Sequence, residues 1–178
     1  MNRSFAQSLR LPVALAAAAT LAACGGTVDF DVSKSFDVNV TSGTSWSGSK
    51  AVDLATDNGA AWKQRKHIDS IEVVSADATI TAVTAPPNVA ATGSGTAWFR
   101  PDGVLDASQD VLVGTWSGNV AVGSTVDLTP SPALSAFITD VLKGSGKFTV
   151  VANGTVNSAP AVFTVKVSVA CKLNWKPF

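Results

Sequence analysis

The stretch "AVFTVKVSVACKL", residues 161–173, decides the fold. Phe163, Val165, Val167, Val169, Cys171 and Leu173 share one side of an extended chain, and Thr164, Lys166, Ser168 and Lys172 share the other. Successive side chains of a strand point to opposite faces, so this period of two predicts a long strand with one face in a core and one in water. The segment before it, 147–156, alternates in the same way. Their connection falls at Asn157-Ser158-Ala159-Pro160, because a turn at Asn153-Gly154 leaves too short a stub before Pro160. Gly154 then predicts a bulge.

Upstream, "SPALSAFITDVLKG" at 131–144 breaks the β pattern. Ser131 suits the N-cap, Pro132 the first helical position and Gly144 the C′ position. Leu134, Phe137, Ile138, Val141 and Leu142 fall at helical spacing and form one apolar stripe. A short helix over about 132–143 is expected, covering an open end of the sheets.

Further back the strands are shorter. Residues 27–32 and 36–40 each alternate and predict two half-buried strands. Residues 41–50 predict a Ser/Gly-rich loop carrying Trp46, and the polar segment 59–67 predicts a helical turn. Residues 68–74 and 79–83 predict a hairpin ended by Pro86 and Pro87. Then come a strand at 96–100, a turn at Pro101-Asp102-Gly103, a strand at 111–116, and short strands around Val120 and Val126. Eight to ten short antiparallel strands with turn signals between them predict an all-β, immunoglobulin-like β-sandwich with one short helix. The disulfide and tyrosine corner of true immunoglobulin domains are missing, so that likeness is architectural.

Composition agrees. The chain has 178 residues, one glutamate (Glu72), no tyrosine, and equal numbers of basic and acidic residues, 13 each. Val, Thr, Ser, Ala and Gly favour strands and turns over helices. No basic field exists to gather nucleic acid.

The N-terminus carries a different message. Arg3 and Arg10 precede an uncharged run from Leu11 to Ala22, and "LAACGG" follows at 21–26. About twelve apolar residues rise only about 18 Å as a helix, short of the roughly 30 Å hydrocarbon core of a bilayer, so the run reads as a signal peptide. Leu21-Ala22-Ala23-Cys24 resembles the lipobox of bacterial lipoproteins. That resemblance implies removal of residues 1–23, a diacylglycerol on the Cys24 thiol and an acyl chain on its new amino group. Residues 24–178 then remain, a length that suits one domain; the resemblance implies that its lipids hold it on the bacterial envelope, and no other cofactor is expected. Gly25, where an aspartate would signal retention, implies the outer membrane. Two or three acyl chains hold a protein on a bilayer for long times, each buried CH₂ contributing about 0.8 kcal/mol.

Candidate chemistry is sparse. With Cys24 lipidated, Cys171 has no disulfide partner, and its place on the apolar side of 161–173 predicts an inert core thiol. His67 is the only histidine and follows "KQRK" at 63–66, a solvated basic face that could also touch anionic lipid head groups. Asp29 and Asp31 fall on the solvent side of an alternating strand, and Asp102, Asp106 and Asp110 lack the spacing of a calcium loop. No metal site and no catalytic set is expected. Among the five tryptophans, Trp98 and Trp116 on strands are expected to pack in the core. Trp46 and Trp62, in polar surroundings, are the candidates for a ligand-binding surface. The expectation is therefore a lipid-anchored, non-enzymatic structural or binding domain whose envelope partner the sequence does not name. The rivals are a carbohydrate-binding module using Trp46 and Trp62, and an envelope enzyme with an unrecognised site.

Overall fold

The computed structural model describes residues 25–84 and 91–176, and within them the chain forms two packed four-stranded antiparallel sheets. The strands are β1 (Gly26–Val40), β2 (Ser45–Asp53), β3 (Ile68–Val83), β4 (Thr92–Pro101), β5 (Val111–Asn119), β6 (Thr125–Leu128), β7 (Lys147–Val156) and β8 (Ala161–Trp175). One sheet has the order β1-β8-β3-β6 and the other β2-β7-β4-β5. First pairs with last, second with seventh, third with sixth and fourth with fifth. That is the pairing of a jelly roll rather than of an immunoglobulin domain, where neighbours in sequence share sheets. The expected antiparallel sandwich is present, and its winding is the jelly-roll one.

The two strands that the sequence makes clearest do not form the hairpin their short connection suggests: β7 lies in the second sheet, and β8 is the spine of the first, so the turn between them crosses from one sheet to the other. All of β8 from Ala161 to Trp175 pairs with β1, and β3 flanks its other side. Phe163, Val165, Val167, Val169, Cys171 and Leu173 are all buried, as the alternation predicts. The turn at 157–160 is also where the spacing put it.

Three expectations change. Residues 27–32 and 36–40 are one continuous strand; the sequence reads as two because Lys34, at an inward position between Val32 and Phe36, interrupts the apolar run. Its ammonium reaches out to Asp57 at 2.9 Å, and that hydrogen bond holds the Asp57 carboxyl below its ordinary range. The expected hairpin at 68–83 is likewise one strand, β3, with register shifts at residues 69, 74 and 81. Each shift moves the apolar phase by one residue, so Ile71 and Val73 face in, Val74 bulges out 58 % exposed, and Ala76, Ala78 and Ile80 face in again. Pro86 and Pro87 lie outside the described residues. Around Val120 and Val126 only β6 forms; Val120 is a buried residue just beyond β5.

Helix α3 (Pro132–Lys143) keeps its expected limits. Ser131 Oγ accepts from Ala133 N at 3.2 Å, and Gly144 N donates to Asp140 O at 2.9 Å. The positive φ of the turn that follows belongs to Gly146, at 75°, not to Gly144. Leu134, Ile138 and Leu142 are fully buried, and Phe137 meets Phe99 and Phe148 at centroid distances of 5.9 and 5.7 Å. Two shorter helices, α1 (Leu54–Asp57) and α2 (Gly59–Lys63), lie in the β2–β3 connection.

The winding sorts the connections between two ends. At one end lie the start of β1, the β2–β3, β4–β5 and β6–β7 connections and the end of β8. At the other lie the short turns 41–44, 120–124 and 157–160.

Candidate functional site

Cys24 itself lies outside the described residues. β1 begins two residues later at Gly26, whose register partner is Trp175, itself paired with Ile68. The end of the sandwich at the start of β1 therefore also holds Lys176, whose N donates to His67 O at 3.0 Å, and the basic segment before β3. Lys63 and Lys66 are exposed there, as is Leu105 in the β4–β5 connection, 93 % accessible. His67 is half-buried, and its N donates to Gln64 O at 2.8 Å. Among the described residues, no helix is long and apolar enough to cross a membrane.

The tryptophans are placed differently from expectation. Trp46 does not sit in a loop: it lies on β2, 8 % exposed, inside the sandwich. Its ring meets Trp116 at 6.4 Å and the edge of Phe163 at 6.4 Å, so no face is open to a sugar. The cause is a cross-sheet row, Trp46–Gly154–Gly95–Trp116, in which two large rings fold over two glycines. A Cβ on Gly154 would strike Trp46 and the Ser94 carbonyl, and one on Gly95 would strike Trp116. Gly154 is thus a close-approach position in regular register, not a bulge. Trp62 is half-buried at the end of α2, packed against Gly146, with the Arg65 guanidinium 4.3 Å from its ring centroid. Arg65 Nη1 also donates to Trp62 O at 3.1 Å, so a stacking ligand would first have to displace this side chain.

Trp98, expected in the core, faces outward from β4. The neighbours Ala97 and Phe99 take the inward positions and are 1 % exposed each. Around Trp98 the outer face of the second sheet forms three registered rows. The first is Ser45–Thr155–Ser94–Ser117, the second Ser47–Asn153–Thr96–Thr115, and the third Ser49–Val151–Trp98–Leu112. Two depressions lie on this face. A dish of about 580 Å³ is lined by Thr92, Ser94, Ser117, Asn119, Thr155 and Asn157 among others. A smaller one of about 250 Å³ lies between Trp98, Asn153 and the Arg100–Asp110 pair. Arg100 Nε and Nη2 each donate to Asp110 at 2.7 Å, which raises the Arg100 pKa further.

The remaining candidates are structural. Cys171 is 2 % exposed, and burial pushes its thiol up to about 12, so the thiolate needed for nucleophilic work is not formed near neutral pH. Asp29 and Asp31 are exposed on β1. Asp106 caps the 3₁₀ turn Ala107–Gln109, accepting from Ser108 N and Oγ at 2.8 and 2.7 Å, bonds that lower its pKa. Among the described residues no three metal-binding side chains converge.

No family model and no curated protein matches the chain. Among solved structures it is similar to the decameric BFDV capsid protein at 11 % identity and a TM-score of 0.47, over 84 % of this chain and 99 % of that one. It is also similar to mud crab tombus-like virus at 8 % identity and a TM-score of 0.41, over 99 % of this chain and 94 % of that one. A third likeness, to Desmodium yellow mottle tymovirus, has 11 % identity and a TM-score of 0.32, over 100 % of this chain and 97 % of that one.

Proposed function

We propose that this chain is a lipid-anchored lipoprotein of a bacterial envelope whose jelly-roll domain works by binding rather than by catalysis. The observation that carries the anchoring is Leu21-Ala22-Ala23-Cys24 directly after a basic and then apolar leader, with β1 starting at Gly26. So little chain between lipid and first strand leaves no tether, and the domain rests against the head groups by the end that carries Lys63, Lys66 and Leu105. A binding role is supported by the lining of the larger dish, where hydroxyls and amides beside glycines and Val156 offer hydrogen-bonding groups to a ligand. The buried Cys171 thiol adds no nucleophile.

Replacing Cys24 by Ala tests the anchor. Metabolic labelling with a palmitate analogue should mark the parent protein and not the variant, and the variant should leave the membrane fraction. Label retained on Cys24→Ala would overturn the anchoring.

A further inference from the structure

We infer that the outer face of the β2-β7-β4-β5 sheet is a binding site for an uncharged glycan, with Trp98 as its stacking platform. This deepens the reading of the domain as a binder and moves the aromatic contact from Trp46 and Trp62 to a residue the sequence assigned to the core.

Three observations converge on that ligand class. First, the two rows Ser45–Thr155–Ser94–Ser117 and Ser47–Asn153–Thr96–Thr115 consist entirely of hydroxyl and amide side chains on four adjacent strands. A hydroxyl both donates and accepts, so such a surface meets sugar hydroxyls in either sense. Second, the two rows carry no charge, and the charges of the smaller depression, Arg100 and Asp110, neutralise each other. A phosphate or carboxylate ligand would find no unpaired cation there, whereas a neutral one loses nothing. Third, Trp98 sits in the next row between Val151 and Leu112, a narrow apolar strip suited to the C–H face of a sugar ring and too small for a protein partner. From Thr92 to Arg100 the track runs about 26 Å at roughly 3.3 Å per residue, room for several rings.

The test uses the full chain purified in detergent, with the neutral probes cellohexaose, maltohexaose and chitohexaose in calorimetry and insoluble cellulose and chitin in co-sedimentation. At least one should bind. Trp98→Ala should weaken it by about tenfold or more, and Trp98→Phe by less. Thr155→Arg, at an exposed position that leaves the core untouched, should abolish it; Lys172→Ser on the opposite sheet should leave it unchanged. Failure of every probe to bind would overturn the inference, as would binding indifferent to Trp98→Ala and Thr155→Arg. A dimer that Thr155→Arg converts to monomer would give the face to a second copy and overturn it too. Because binding is read on purified protein, its failure is separate from a failure of Cys24 acylation.

Discussion

The two outer faces of this sandwich are built on the same strand geometry and carry opposite chemistry. On the β1-β8-β3-β6 sheet the outward positions include Asp29, Asp31, Asp37, Glu72, Asp77 and Asp127 against Lys166 and Lys172, a face that water solvates and that repels anions. On the β2-β7-β4-β5 sheet two rows hold only Ser, Thr and Asn, and the next holds Ser49, Val151, Trp98 and Leu112. A face needed only for solubility is charged, since charge is the cheapest way to keep a sheet in water. A face whose two hydroxylated rows are uncharged, with one indole beside them and its charges confined to the Arg100–Asp110 and Lys147–Asp53 pairs, forgoes most of that protection. The difference is what the proposed contact role of the second sheet's exterior predicts; inside the same sheet, the Trp46–Gly154–Gly95–Trp116 row holds two large rings by removing the side chains beneath them.

The largest expected effect sharpens this inside–outside contrast. Trp46→Ala should cost about 3–5 kcal/mol, because the cavity is flanked by glycines that cannot fill it. Trp98→Ala, on the other side of the same sheet, should cost about 1 kcal/mol. Urea unfolding of both, with unchanged slopes, measures the gap. Trp46→Phe should recover much of the loss, because Trp46 Nε1 is buried without a hydrogen-bond acceptor among the described residues and phenylalanine removes that unpaired donor. Equal losses for the two alanine variants would break the comparison.

That contrast was only half legible beforehand. Where inward and outward residues differ in type, as from Phe163 to Leu173, alternation alone assigned the faces, and the helix over 132–143 announced itself through Ser131, Pro132 and its stripe. In "TAWFR", Ala97, Trp98 and Phe99 are all apolar, so the strand period cannot choose between them. The usable signal was glycine at every second position, Gly93 and Gly95, marking the inward phase that Trp116 needs. Trp46 was obscured because its inward companions Gly48 and Lys50 carry no apolar signal. The jelly-roll winding was illegible for another reason: the pairings of β1 with β8 and β2 with β7 join the two ends of the chain, and local pattern carries no record of them.

The inner side of the charged sheet gives the middle-sized effect. Cys171→Ser should cost about 1–3 kcal/mol by setting a hydroxyl among apolar neighbours. The thiol's pKa is raised by burial from 9.0 to about 12, so the folded state holds its proton where the unfolded state has lost it. Stability is therefore undiminished by this group below pH 9 and falls as pH rises toward 12. Cys171→Ala should flatten that alkaline loss, measured as the unfolding midpoint against pH. A thiol reagent should label Cys171 only after denaturation; rapid labelling of the native protein would put the strand's apolar side in water.

The smallest effect belongs to the charged exterior. Lys172 lies between Asp29 and Glu72 in one registered row. Lys172→Ser leaves two acids two strands apart, about 10 Å, which is close to the roughly 8 Å screening length at physiological salt. Their repulsion is therefore weak, and the loss should stay within about 0.5 kcal/mol. Lowering the salt lengthens the screening distance, so the loss should grow at 10 mM and fade again at 0.5 M. An unfolding series across salt measures this directly. A loss well above that size and indifferent to salt would mean that Lys172 holds packing rather than charge, and the division between a solvated face and a contact face would have to be redrawn.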